Sequence, residues 1–199
     1  MMWSNPGESH RQSSMPNALR ATEHGCWLFG GLLVCWVMAT LWSAHTYQKA
    51  QAEHLAYLGR SSIRSRGLST GDLFGKISIP RLHLSAIIAE GVDDATLRRA
   101  VGHFPESSIP EKEGTVALAG HRDTFFRALA HIRLHDQIEL DTPNGVYRYE
   151  VIRTEVVTPD HTEVVRSSPQ SDLTLVTCYP FRYVGHAPDR FIVQALRSP

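Results

Sequence analysis

From Leu73 to its end the chain repeats one pattern: a short run rich in Ile and Val, then a cluster of Gly, Pro, Asn, Asp or Ser. The runs are Lys76 to Ile79, Leu84 to Ala89, Thr115 to Ala119, Gln137 to Leu140, Val146 to Val157, Leu173 to Thr177 and Arg190 to Leu196. Such runs between turn signals predict strands, and seven or eight of them fit a closed or nearly closed β-barrel. Pro143-Asn144-Gly145 predicts a hairpin turn between two of the strands. Two segments break the pattern, Asp94 to Val101 and Thr124 to Ile132. In the second, Phe125, Leu129 and Ile132 recur at helical spacing. Both are expected to be short helices on the barrel surface.

Upstream the pattern changes. Gly25 to Ala44 is 20 residues without Asp, Glu, Lys or Arg. At 1.5 Å per residue that length crosses a hydrocarbon core of roughly 30 Å. Trp27 and Trp42 lie near its two ends, where amphipathic rings favour the headgroup layer. A cleaved signal peptide is the alternative, with Ser43-Ala44 as the cut. The stretch is longer than the usual apolar core of such peptides and follows a polar leader of 24 residues. An uncleaved anchor is therefore expected. Residues 1–24 read as a disordered tail, 25–44 as a transmembrane segment, 45–72 as a stalk with a helical first half, and 73–199 as a single globular domain. The stalk is expected to hold the domain off the bilayer. Arg11 and Arg20 precede the span, while Lys49, Arg60, Arg64 and Arg66 follow it, so positive charge does not set its orientation.

Composition narrows the function. A formal net charge of zero and no basic stripe argue against nucleic acid as a partner. Of the three cysteines, Cys26 and Cys35 fall in the membrane segment. They are on opposite helix faces and about 13 Å apart along the axis, too far for a disulfide. That leaves Cys178 as the lone thiol of the globular part. An isolated cysteine is commonly an inert buried hydrophobe. Its neighbours argue for a nucleophile instead.

A thiol attacks as thiolate, so it needs an imidazole to manage protons and a cation to steady developing negative charge. Three fragments supply these parts. Leu118-Ala119-Gly120-His121-Arg122 carries the imidazole, Thr174-Leu175-Val176-Thr177-Cys178-Tyr179-Pro180 the thiol, and Asp189-Arg190-Phe191 the guanidinium. His121 and Cys178 each end an apolar run, and Arg190 opens another, so adjacent antiparallel strands would set Cys178 beside Arg190. Thr177 is a candidate substrate contact or a plain strand-end residue. Arg122 is a rival cation with a supporting role, and His186 is either a cleft residue or an exposed loop histidine. Arg190 has its own bland alternative, a surface ion pair with Asp189.

These motifs resemble the sortases, membrane-anchored cysteine transpeptidases, over roughly residues 74 to 197. Gly75-Lys76-Ile77-Ser78-Ile79-Pro80 and Tyr147-Arg148-Tyr149-Glu150-Val151 support the likeness. The Thr174 to Phe181 run and Ala187-Pro188-Asp189-Arg190 look most like the class D branch. The resemblance implies an eight-stranded β-barrel with peripheral helices. It also implies a cytoplasmic N-terminus with the catalytic domain outside the membrane, and catalysis by His121, Cys178 and Arg190. The implied reaction cuts a Leu-Pro-x-Thr-Gly-type sorting signal on a secreted protein after Thr and passes the acyl group to an amine, on a cell-wall precursor or a pilin lysine. No cofactor is implied. One departure stands out: where the family often has Gly-Asp before a strand, this chain has His135-Asp136. Scattered acidic residues offer no calcium spacing. His131 and His135, at i and i+4, lack the Glu of zinc peptidases and an evident third ligand. A cysteine protease shares the chemistry, and a non-catalytic envelope scaffold is the non-enzymatic alternative.

Overall fold

The computed structural model describes residues 17–57, 68–160, 172–183 and 185–198, with the side chains of 26–40 and 42–51 in the first segment. Residues 1–16 of the expected tail and 58–67 of the expected stalk lie outside the described residues. By its internal contacts the chain divides into Met1–Trp42 and Ser43–Pro199.

A helix, α1, runs over Asn17–Tyr57, so helix replaces the expected tail from Asn17 onward. In the first unit its apolar side chains have no core to enter: Trp27, Phe29, Leu32 and Trp36 are each at least 70% exposed. A helix apolar on every side suits hydrocarbon rather than water. Cys26–Gln51 is long and apolar enough to cross a membrane by length and composition. The rest of α1 belongs with the second unit. Ala44, Tyr47, Gln48 and Gln51 are its less exposed positions, at helical spacing. There Gln48 accepts the Ile87 N–H at 2.8 Å and donates to the Arg99 carbonyl at 2.6 Å. This part of the stalk is thus a docked helix, because a β2 amide beyond the reach of its neighbouring strand needs an acceptor.

The second unit is a closed barrel of eight strands: β1 (Leu73–Ile79), β2 (Leu84–Glu90), β3 (Val101–His103), β4 (Thr115–Ala119), β5 (Gln137–Thr142), β6 (Gly145–Val157), β7 (Asp172–Tyr179) and β8 (Asp189–Arg197). Around the barrel they run β1-β2-β3-β4-β7-β8-β6-β5. Pairs β2/β3 and β4/β7 are parallel, and the others are antiparallel. Alternation along the strands builds the core, which includes Ile77, Ile79, Leu118, Ile138, Leu140, Leu173, Leu175 and Val193, all inaccessible to solvent. His103 Nδ1 lies 2.7 Å from the Glu90 carboxyl, both side chains buried, and this contact joins β3 to β2.

Two local expectations change. Val101, expected to end a helix, opens β3. The helix, α2, covers only Asp94–Leu97, with the Asp93 side chain accepting the Ala95 and Thr96 N–H groups. It forms the crossover that parallel β2 and β3 require. Gly102 is at the centre of β3 because a Cβ there would meet the Gly91 carbonyl oxygen at 2.4 Å. Over Thr124 to Ile132 the chain makes a 3-10 helix, Arg127–His131. At three residues per turn it is Phe126 and Leu129, both fully buried, that share the inner face with Ile132. The 3-10 helix ends at His131, so His135 is not on it.

His135 instead occupies a left-handed turn, φ 67°, a conformation that glycine adopts more readily than a residue with a Cβ. The next residue, Asp136, is buried, forms an ion pair with Arg81 and accepts the Arg133 N–H at 2.8 Å. The hydrogen bond from Arg81 holds the Asp136 carboxyl below its ordinary range, outweighing the opposing effect of burial. Arg81→Ala leaves that carboxylate under-partnered and is expected to destabilise the fold by about 2 kcal/mol. A depressed native pKa stabilises above the unfolded value of about 3.9, and that contribution is lost as pH falls through the native value. Urea midpoints of wild type and Arg81→Ala should therefore differ at pH 7 and converge in acid below that range. A gap unchanged down to acid unfolding rules this account out.

Candidate active site

The barrel order makes β7 the neighbour of both β4 and β8, and registers then place the chemistry. Ala119 of β4 is level with Val176 of β7 in a parallel pair. His121 lies two residues beyond that pair on its segment, as Cys178 does on β7. On the other side of β7, Cys178 is directly opposite Arg190. Leu173 and Leu175 point into the core and Thr177 is buried with them, so strand alternation turns Cys178 outward. His121, Cys178 and Arg190 line one surface groove together with Arg122, Asp123 and the loop residues Gly185, His186 and Ala187. Cys178 is a free, half-buried thiol.

The backbone around His121 is pinned from two sides. The Gly120 N–H donates to the Val176 carbonyl at 3.1 Å, and the Phe126 N–H donates to the His121 carbonyl at 3.0 Å. The Phe126 ring lies against Gly120 so closely that a Cβ there would come within 2.7 Å of it. Gly120→Ala is expected to cost about 2 kcal/mol through overpacking against a fully buried ring, and to displace His121. A thermal melt gives the first effect. A variant as stable as wild type shows that the ring moves aside freely.

The other residues singled out in the sequence take distinct places. The Thr177 hydroxyl is 2% exposed as part of its residue and donates to the Gly120 carbonyl at 2.7 Å. It ties β7, next to Cys178, to the segment that carries His121. Arg122 is turned to the β7–β8 loop, donating to the carbonyls of Pro180 at 2.9 Å, Tyr183 at 3.0 Å and Gly185 at 3.1 Å. Its guanidinium also lies 5.8 Å from the Tyr183 ring centre. Arg122 is thus a clamp on the loop that joins Cys178 to Arg190. His186 is exposed on the groove wall. Arg190 makes no ion pair with Asp189. Its Nη1 donates to the carbonyls of Asp189 at 2.9 Å and Ala187 at 3.4 Å, which aims the guanidinium and leaves other N–H groups for a ligand. Next to Cys178 and Arg190 along the chain, Tyr179, Phe181 and Phe191 pack with ring centres 5.2 to 6.2 Å apart. Sequence reasoning passed over Asp123, although its position two residues after the candidate base was a signal. Among the described residues, no three His, Cys, Asp or Glu side chains are grouped to hold a metal.

A family model of the sortase domain matches residues 77–198. Sortase D of Bacillus subtilis (strain 168) is 38% identical over 129 residues, which are 64% of this chain and 65% of that protein. Sortase A of Streptococcus agalactiae serotype III (strain NEM316) is 30% identical over 132 residues, 62% of this chain and 52% of that protein. The chain thus spans less than two thirds of the length of these relatives. Among solved structures, a sortase D5 transpeptidase from Clostridium perfringens superposes with a TM-score of 0.69 at 25% identity, covering 77% of this chain and 99% of the other. Sortase E1 from Streptomyces coelicolor, solved with a tripeptide in the active site, gives 0.60 at 27% identity, over 65% and 90%.

Proposed function

Because this chain belongs to the sortase family, we propose that it is a cysteine transpeptidase that cuts a Leu-Pro-x-Thr-Gly-type signal after Thr and joins the acyl fragment to an amine. The observation that carries this reading is that His121, Cys178 and Arg190 line one groove, with Cys178 directly opposite Arg190 in the β7/β8 register and His121 two residues beyond the end of β4.

In the first half-reaction the Cys178 thiolate attacks the carbonyl carbon of the Thr–Gly bond. Arg190 donates hydrogen bonds to the oxyanion that forms, a role in which its planar fork exceeds a lysine ammonium. His121 protonates the departing amine, the C–N bond breaks, and a thioester remains. Dividing acyl transfer into two steps lowers each barrier relative to direct aminolysis, and a thioester favours an amine over water where water is excluded. In the second half, His121 takes a proton from the incoming amine. Thr177 and Arg122 serve as positioning residues, the one through the Gly120 carbonyl and the other through the loop, while His186 on the groove wall meets the bound peptide.

The N-terminal helix anchors the enzyme in the cell membrane as a single span, the tail inside and the barrel outside. The substrate is then a secreted protein carrying the signal, and the acceptor a cell-wall precursor or a pilin lysine. No nucleic acid takes part. Incubating the full chain in detergent with a pentapeptide library, then measuring intact mass, tests the proposal. The expected result is one adduct, an acyl fragment ending in Thr, on the Cys178 peptide. No adduct with any donor, or one on another residue, defeats it.

A further inference from the structure

Among the described residues that line the groove, Asp123 is the single carboxylate. It is exposed, and among the described residues it has no ion-pair or side-chain hydrogen-bond partner. The obvious neutralising partner is its neighbour Arg122, yet that guanidinium is held by three loop carbonyls and forms no ion pair with Asp123. Arg190, whose Nη1 is fastened to the carbonyls of Ala187 and Asp189, forms no ion pair with Asp123 either. A free negative charge therefore stands two residues from His121, in a groove whose other charged lining residues are cationic.

We propose that Asp123 recognises the ammonium form of the acceptor amine and delivers it to His121. The assignment rests on the transpeptidase reading above. Amines arrive protonated at neutral pH, and the arginines of the groove repel them. A local carboxylate raises their concentration next to the base. The ammonium gives one proton to neutral His121, and its freed electron pair forms the C–N bond at the thioester carbonyl. The C–S bond breaks with its electron pair left on Cys178 sulfur, and the second N–H proton leaves to solvent. The products are an amide and a thiolate ready for another turnover.

The test separates the two half-reactions in the full chain in detergent, using one donor peptide and two acceptors. Glycylglycinamide is largely protonated at neutral pH, and hydroxylamine is largely uncharged. For Asp123→Asn the KM for glycylglycinamide should rise about three- to fivefold, the scale of an exposed ion pair. Asp123→Lys, which inverts the charge, should raise it about tenfold. Both effects should shrink in about 0.5 M salt. The rate of thioester formation and the KM for hydroxylamine should stay as in wild type. Equal losses with both acceptors, or slower thioester formation, overturn the assignment in favour of a structural role. An unchanged KM for glycylglycinamide overturns it as well. If wild type forms no thioester, the transpeptidase reading fails and takes this assignment with it.

Discussion

Replacing Cys178 with alanine is expected to abolish the covalent adduct and to lower peptide transfer by at least about a thousandfold, the scale on which a nucleophile's loss is felt. The substitution is clean because Cys178 is half-buried on the outward side of β7, away from the core side chains Leu173 and Leu175. Little packing is lost, so the melting curve should hardly move. Cys26→Ala and Cys35→Ala, in the exposed apolar stretch of α1, should keep full transfer. His121→Ala should fail almost as badly while leaving the thiol in place. A scaffold would behave oppositely, keeping its assembly role without the sulfur. Transfer by Cys178→Ala within tenfold of wild type ends the enzymatic proposal.

The second large effect is expected at Arg190. Arg190→Lys keeps the charge but removes the fork whose Nη1 is fastened to two backbone carbonyls. An ammonium in this position cannot hold those carbonyls and still reach an oxyanion with a fixed direction. The expected loss is about a hundredfold in kcat with KM little altered, the pattern of an interaction made mainly in the transition state. Single-turnover measurement of thioester formation isolates the step. If lysine supports a rate within about threefold of wild type, net positive charge suffices and directed hydrogen bonding is the wrong account.

Much of the barrel was legible along the chain because most strands are long enough to display their alternation. β4 lies where the Thr115 to Ala119 run was read, and β5, β6, β7 and β8 differ from expectation by one or two residues at their ends. Strand β3 was not legible. Three residues with glycine in the middle carry no periodic signal, and the strand exists only because β2 and β4 flank it. The 3-10 helix over Arg127–His131 shows the complementary failure. Its apolar residues suit two helical periods, and the depth available for Phe126 over Gly120 selects the tighter one.

The candidate reacting groups, the apolar span and the strand pattern were written in the residues themselves, since thiol chemistry, bilayer thickness and backbone alternation all leave local marks. Where each side chain goes was a different matter. Arg122, next to His121, had the composition of a substrate-binding cation, and Thr177, next to Cys178, that of a substrate hydroxyl. Each has its partners on a neighbouring segment of the barrel, on the β7–β8 loop and at Gly120. Hydrogen bonds between segments almost 60 residues apart depend on strand order and register. Those are properties of the closed sheet, which no single stretch of chain contains.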